Sequence, residues 1–226
     1  MNPYRILGII LLALMPLSQA LSQDALLTGS VIGTEQSVDY STGAASTTVN
    51  TCACAFDGNL DTYFASYERR LTWAGLDLGT PHVITRIGWA PRKDALGPQR
   101  TLLGVFEGAN RPDFLDALQL YVIDNAHPSG QMVYKDVDVS LGFRYVRYVG
   151  PADARCNIAE LAFYGHEGEG DESRLYQVTN LPTVSFHTVD AVDPYDKEHE
   201  LISQFAFVYD GGSKVQRHTG KSRLRG

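Results

Sequence analysis

Apolar residues between positions 26 and 166 recur at alternate positions or in short runs, and turn residues separate these segments. In FRYVRYVG, residues 143–150, the odd-numbered positions fall on one side of an extended chain and the even-numbered positions on the other. A period of two residues predicts a β-strand. The same criteria predict strands at 73–79, 83–92, 118–123, 135–140, 143–150 and 158–165.

Helical periodicity is weak here, since no stretch after the first twenty residues carries a long repeat of 3.6 residues. Short strands that alternate with glycine- and proline-containing turns are typical of an antiparallel β-sandwich. A hydrophobic content of 44% supplies the apolar material for a buried core. We therefore predict an all-β domain of the sandwich class.

The first twenty residues form a separate segment. Arg5 precedes an apolar run, ILGIILLALM, and Ser18 and Ala20 provide a small-x-small cleavage site. This pattern is typical of a secretory signal peptide, and the run is shorter than the roughly 20 apolar residues that a membrane anchor needs. We predict a signal peptide at residues 1–20 and a secreted or cell-surface protein.

The net charge of −7 makes the protein acidic. An acidic surface repels phosphate backbones and anionic lipid headgroups. These charges argue against nucleic acid as a partner. Membrane lipid is disfavoured as well, because the candidate binding loops carry arginine and glutamate instead of apolar tips.

Three cysteines, Cys52, Cys54 and Cys156, are present. In an oxidising compartment two of them are expected to form a disulfide that joins the start of the domain to its end. Cys52 and Cys54 are expected on the same side of an extended segment, so Cys156 can pair with either. A zinc site is the alternative, although no fourth ligand stands at a suitable spacing.

Six segments in this order resemble the discoidin domain, also called the coagulation factor V/VIII type C domain: AFDGNLDTYFAS, WAGLDLG, ITRIGWAPR, GVFEGAN, FRYVRYVGP and CNIAELAFYG. Within that family the sequence is similar to secreted bacterial carbohydrate-binding modules. The resemblance covers residues 24–166. It implies a galactose-binding-like jelly-roll β-sandwich with its first and last strands side by side and variable loops at one end.

The turn at residues 57–62 begins with Asp57 and offers hard oxygen atoms in a tight arc, which are the ligands that Ca²⁺ prefers. The resemblance implies one structural Ca²⁺ with these ligands: the side chains of Asp57 and Glu160, the hydroxyl or carbonyl of Thr62, and the backbone carbonyls of Cys54, Asn59 and Ala159. Without an ion, Asp57 would only stabilise the turn through an Asx hydrogen bond, and Glu160 would be a solvated strand end.

A sugar site needs an apolar face beside planar polar groups. Aromatic, arginine, glutamate and asparagine side chains on the predicted loops meet this requirement, and the candidates are Tyr67, Glu68, Arg69, Arg92, Phe106 and Asn110. Two alternatives remain open: Phe106 belongs to the core, as Trp89 does, or Arg70 and Arg92 pair with neighbouring acids.

The sequence contains no recognisable catalytic motif: no nucleophile elbow, zinc-protease helix, Walker loop or dinucleotide turn is present. The expected function is a secreted, non-catalytic carbohydrate-binding module that tethers a partner domain to glycans. A protein or cell-surface adhesion module is the alternative.

The composition changes after the predicted sandwich. Residues 167–180 predict an exposed acidic linker, and strands are predicted at 181–188 and 200–214. The pieces LPTV, DGG and RLRG resemble the opening of the CotH kinase family. This implies that residues 181–226 begin a second, truncated domain of a larger parent protein, and that the chain holds no catalytic residue. A small β appendage or adhesion spacer is the alternative.

Overall fold

The computed structural model describes residues 24–170, 183–188, 200–209 and 214–223. Every strand pairing in these ranges is antiparallel, which confirms the predicted class. The strands are β1 Ala25–Leu26, β2 Ser30–Gly33, β3 Ser37–Val38, β4 Ala45–Ser46, β5 Trp73–Pro91, β6 Val105–Ala109, β7 Leu118–Val122, β8 Val133–Asp136, β9 Gly142–Val149, β10 Ile158–Glu167, β11 Thr183–Thr188, β12 Leu201–Tyr209 and β13 Lys214–Ser222.

Helices are short in the described ranges. A 3₁₀ turn spans Cys52–Ala55, and the helix α1 spans Gly97–Thr101. None of the helices described is long and apolar enough to cross a membrane.

Two layers share the long strand β5. Residues 74–77 of β5 pair with β2, and residues 73–83 pair with β9, which continues the first layer into β6 and β7. Residues 82–91 of β5 pair with β10, which continues the second layer into β1, while residues 86–89 pair with β8 on the other side. The sequence predicted two separate strands, at 73–79 and 83–92. In the structure they form one strand with a register shift between Asp77 and His82, where Gly79 has a φ of +80° that a glycine adopts readily.

Aromatic side chains join the two layers. Phe106 of the first layer is fully buried, and its ring centroid lies 5.7 Å from that of Trp89 and 6.0 Å from that of Phe163, both in the second layer. Ring pairs at these distances add to the stability that burial provides. The sandwich therefore has one main core with Phe106 near its middle.

The alternation predicted for residues 143–150 holds over only part of β9. Val146 and Tyr148 face the main core, and Tyr145 belongs to a second cluster with Phe114, as predicted for opposite faces. Phe143 also packs in the main core and not beside Tyr145. The reason is the same register shift between β5 and β9, which lies between the partners of these two residues.

The first and last strands of the sandwich are neighbours, as the resemblance implied. Ala25 of β1 lies opposite Gly165 of β10. The strand predicted at 135–140 is displaced to β8, where Lys135 and Asp136 are its last residues.

A separate three-stranded sheet follows, in the order β11, β12, β13. The sequence predicted the first two of these strands and missed the third. The predicted signal peptide at residues 1–20 and most of the predicted linker at 167–180 lie outside the described residues.

Candidate functional site

The acidic turn brings together residues that are distant in the sequence. The backbone N–H of Gly58 donates a 3.0 Å hydrogen bond to Oε2 of Glu160. Gly58 has a φ of +73°, and space is open where a Cβ would stand, so a glycine fits this left-handed turn. The turn that contains Asp57 therefore contacts Glu160 on β10, as the resemblance implied.

Inside the turn, Asp57 organises the loop. Its Oδ1 accepts a hydrogen bond from the Asn59 N–H at 2.8 Å, and its Oδ2 accepts one from the Thr62 hydroxyl at 2.7 Å. The same hydroxyl also lies 2.8 Å from the Asn59 carbonyl oxygen. The Asx turn that the sequence offered as an alternative thus exists, and it gathers Asp57, Asn59 and Thr62 around one point.

Glu160 is a buried carboxyl group with only 9% of its surface exposed. Burial raises its pKa to about 7, the Gly58 N–H opposes the rise, and the negative charge of Asp57 adds to it. Burial of Glu160 and the negative charge of the exposed Asp57 both disfavour an ionised Glu160, and either protonation or a bound cation would relieve this cost. This carboxyl group therefore suits a metal ligand better than a solvated strand end.

The backbone of β10 is irregular beside Glu160. Ile158 pairs with Pro91 and Glu160 with Ala90, so Ala159 is the extra residue of a β-bulge, which leaves the strand ladder locally disrupted. Among the described residues no three Cys, His, Asp or Glu side chains gather at one point. A cation here would therefore depend on Asp57, Glu160, Thr62 and backbone oxygens, an all-oxygen set suited to Ca²⁺.

All three cysteines are free thiols. The segment around Cys52 and Cys54 is a 3₁₀ turn and not extended, so the expectation that both lie on one side was wrong. Cys52 packs against the main core, where Cys156 is fully buried, and burial raises the pKa of Cys52 to about 12. Pairing of Cys156 stays a prediction, and the packing favours Cys52 as its partner.

An open cleft of about 670 Å³ lies beside the loop that precedes β5, at residues 67–71. Six of the residues that line it are Tyr67, Glu68, Arg69, Arg70, Leu71 and Arg155. Three predicted sugar-binding residues, Tyr67, Glu68 and Arg69, are thus brought together. Tyr67 is 40% exposed, which leaves its ring accessible.

Arg92 lies outside the cleft at Tyr67 and packs against two other tyrosines. Its guanidinium carbon lies 3.6 Å from the ring centroid of Tyr63 and 5.3 Å from that of Tyr40, and its Nε is 3.2 Å from Asp94 Oδ2. It does not line the cleft at Tyr67. The alternative in which Arg92 pairs with a neighbouring acid is the one observed.

Phe106 and Asn110 are corrected as ligand-binding candidates. Phe106 has no exposed surface, because it lies on β6 between the two layers. Asn110 is 7% exposed, and its side chain donates to the Gly142 carbonyl and accepts from the Arg144 N–H. Both residues stabilise the fold and cannot reach a sugar at the surface.

Arg155 is a cleft residue that the sequence analysis missed. It lies in the loop between β9 and β10, and its Nη1 donates to the backbone carbonyls of Ser66 and Tyr67. No local pattern signals this contact, because it joins loops that meet only in the folded sandwich.

Comparison with solved structures identifies the sandwich. The CBM62 module from Clostridium thermocellum Xyl5A is 41% identical to this chain, with a TM-score of 0.57. The match covers 64% of this chain and 99% of that module. The chain belongs to the CBM62 family of carbohydrate-binding modules. The predicted discoidin-type, galactose-binding-like fold is thereby confirmed.

More distant structures are also similar to the CBM62 sandwich. A CBM32 domain of AlyQ, solved with 4,5-unsaturated mannuronic acid, is 17% identical with a TM-score of 0.47, over 62% of this chain and 97% of that one. The C-terminal domain of a chitobiase from Bacteroides fragilis is 17% identical with a TM-score of 0.45, over 64% of this chain and 94% of that one. No family model and no curated protein sequence matches the chain.

The CBM62 match accounts for about as many residues as the sandwich contains. The sheet of β11, β12 and β13 lies beyond that length. Its resemblance to the CotH kinase family is shown by none of these comparisons and stays a prediction.

Proposed function

We propose that the CBM62 sandwich binds a saccharide without catalysis, in the cleft that contains Tyr67. The observation that carries this proposal is the 41% identity to a carbohydrate-binding module over 99% of that module's length. The cleft supplies a place for the ligand, because its volume of about 670 Å³ falls within the range of small-molecule sites.

The side chains of the cleft offer different interactions to a sugar. The exposed ring of Tyr67 offers an apolar face for the C–H groups of a sugar ring. Glu68 accepts hydrogen bonds from hydroxyl groups, and the guanidinium of Arg69 donates them. No covalent step is needed, so these residues bind and orient the sugar and leave its bonds intact.

A structural Ca²⁺ is part of the proposal. Asp57 and Glu160 would hold it with Thr62 and the backbone carbonyls of Cys54, Asn59 and Ala159. The raised pKa of Glu160 and the bulge at Ala159 support this assignment. An ion bound by the start of β10 and the turn at Asp57 would stabilise the sandwich and leave the sugar chemistry to the cleft.

The cellular role follows from the remaining parts of the chain. The apolar segment at residues 1–20 has the pattern of an export signal, and we propose that the protein acts outside the cell. In that setting the module would hold a further C-terminal domain of the parent protein at a glycan surface.

A glycan array with the purified protein tests the function. Binding to at least one class of saccharide is expected, and Tyr67→Ala should reduce it about tenfold or more, because stacking on the ring is lost. Tyr134→Ala is the matched control: Tyr134 is also exposed, at 49%, but lines a different groove.

Two results would count against this proposal. An array without any bound glycan would remove the function, and a loss in Tyr134→Ala with no change in Tyr67→Ala would move the site to the other groove. Melting curves of both variants should match that of the parent, since neither ring is buried in the core.

A further inference from the structure

The cleft at Tyr67 concentrates positive charge on an acidic protein. Three guanidinium groups, those of Arg69, Arg70 and Arg155, line it against the single carboxylate of Glu68. The whole chain carries a net charge of −7. A concave surface with an excess of one sign attracts ligands of the opposite sign. The cleft is therefore a place where this acidic protein can attract an anion.

The second groove of the sandwich has the opposite character. It has a volume of about 530 Å³, is mainly apolar, and its charged lining residues are Asp57 and Glu160. This groove offers no basic side chain to an anion, and its two carboxyl groups suit the proposed cation. These two grooves therefore differ in the sign of their charged side chains, and the positive charge of the cleft is a local feature.

The arginines of the cleft keep donors available for a ligand. Arg70 Nη2 is 3.9 Å from Asp153 Oδ2, which exceeds hydrogen-bond distance, and both side chains are about half exposed. Arg69 forms no ion pair with any residue in the described ranges. Exposed pairs at such distances contribute little stability, so a ligand can replace the Asp153 contact at small cost.

Arginines on the strands of the sandwich behave differently. Arg86 is 2.6 Å from Asp136, Arg144 is 2.8 Å from Asp77, and Arg147 is 2.7 Å from Glu107. Their guanidinium groups are engaged in close ion pairs. Within the described ranges, Arg69 and Arg70 are therefore neighbouring arginines with no carboxylate at hydrogen-bond distance.

The backbone that carries these arginines is held in place from three sides. The Tyr67 N–H donates to the Gln36 carbonyl at 2.9 Å, and the Asp153 N–H donates to the Arg69 carbonyl at 2.8 Å. Arg155 holds the carbonyls of Ser66 and Tyr67. A loop fixed in this way loses little conformational entropy when a ligand binds. Arg155 is thus a positioning residue, while Arg69 and Arg70 line the cleft without holding its backbone through their side chains.

We propose that this cleft selects saccharides that carry an anionic group, either a uronate carboxylate or a sulfate ester. Arg69 and Arg70 donate hydrogen bonds to the anion, and the ring of Tyr67 lies against the sugar. The planar fork of arginine matches the oxygens of such groups and makes strong charge-assisted hydrogen bonds. The inference rests on the proposed glycan-binding function and adds the chemical class of its ligand.

The test measures the affinity of the whole protein for two matched pairs of oligosaccharides by calorimetry at fixed calcium and salt. One pair is oligogalacturonate and its methyl ester, and the other is a sulfated galactan oligosaccharide and its desulfated form. We expect at least one anionic member to bind about tenfold or more tightly than its neutral partner. The pair that shows the preference identifies carboxylate or sulfate as the recognised group.

Three variants locate the preference. Arg69→Gln and Arg70→Gln should each reduce the ratio of anionic to neutral affinity about tenfold. Arg70→Gln should leave affinity for the neutral member nearly unchanged, whereas Arg69→Gln should also weaken it, because Arg69 donates to sugar hydroxyl groups as well. Arg86→Gln is the matched control, since it removes the same charge from an exposed arginine outside the cleft. Raising the salt concentration should weaken binding of the anionic member by screening.

The proposal is overturned by equal affinity for both members of each pair, a result that leaves glycan binding itself intact. It is also overturned if the anionic preference survives both cleft substitutions or falls as much in Arg86→Gln. Failure to bind any saccharide, on these four ligands and on the array, would refute the proposed function together with this inference.

Discussion

Replacing Glu160 by glutamine should change the stability of the protein in opposite directions with and without calcium. Glutamine keeps an oxygen for the Gly58 N–H, which donates at 3.0 Å, but removes the charge. In the metal-free protein the native state holds the proton of Glu160 more tightly than the unfolded chain does, since burial and Asp57 raise its pKa from 4.5 to about 7.

The sign and size of the metal-free effect follow from this shift. A raised pKa contributes stability that is fully present below pH 4.5 and is lost as the pH rises through about 7. At roughly 1.4 kcal/mol per pKa unit the upper bound is about 3 kcal/mol at pH 8. Allowing for relaxation around the ionised group, Glu160→Gln in chelator should stabilise the protein by about 1–2 kcal/mol, or roughly 2–8 °C in Tm.

Calcium should invert this result. An ion that binds only the native state adds about 2.7 kcal/mol at a hundredfold excess over its Kd. The protein without the substitution gains this stabilisation, whereas the Glu160→Gln variant has lost one proposed ligand and gains little. The variant should therefore melt below the parent in calcium and above it in chelator at pH 8. At pH 4.5 or below in chelator the two should converge.

Calorimetric melts of both proteins with calcium and with chelator provide the assay. Asp61→Asn is the control within the same loop, because the Asp61 carboxylate pairs with Lys93 on the surface at 2.8 Å and is not a proposed ligand. Its response to calcium should equal that of the parent. The reasoning is refuted if Glu160→Gln melts below the parent by the same amount in both conditions, or if calcium leaves the parent unchanged.

Two further outcomes are expected. Intact-mass and peptide analysis of the exported protein should show a disulfide between Cys156 and Cys52, because these residues pack in one core. Cys54 should remain a thiol. Three thiols after export, or a disulfide from Cys156 to Cys54, would contradict this prediction. Phe106→Ala should lower the free energy of unfolding by about 3–5 kcal/mol, as expected for a large buried ring. In the fraction that remains folded, glycan affinity should equal that of the parent, and a selective loss of affinity would return Phe106 to the binding site.

The strands of the sandwich were largely predictable, because a half-buried strand leaves a period of two residues in the sequence. The ligand-binding candidates of the segment GVFEGAN were placed on a loop, although a core position for Phe106 was left open. In the fold, a Cβ at Gly108 would stand 2.5 Å from the Phe143 ring, so this glycine permits close packing between strands and not a turn. Phe106 therefore lies within β6 and Asn110 directly after it, and both are buried.

Polar strands and long-range contacts were harder to predict from the sequence. β13, with the sequence KVQRHTGKS, lacks an apolar repeat and is defined by its pairing with β12. The contact of Gly58 with Glu160 spans 102 positions, and local patterns carry no information about it. Family resemblance indicated that contact, whereas the approach of Arg155 to Tyr67 became visible only in three dimensions.

The pairing of β1 with β10 has a consequence for how this module can be combined with other proteins. Because Ala25 lies opposite Gly165, the chain enters and leaves the sandwich at adjacent positions on one sheet, about 5 Å apart. A domain with neighbouring ends can be placed inside a surface loop of a host protein without forcing that loop open. The same geometry allows a circular permutant, in which a short linker closes the old ends and new ends open in the exposed segment at residues 124–126. The module is thus a portable unit whose attachment does not depend on standing at the end of a chain.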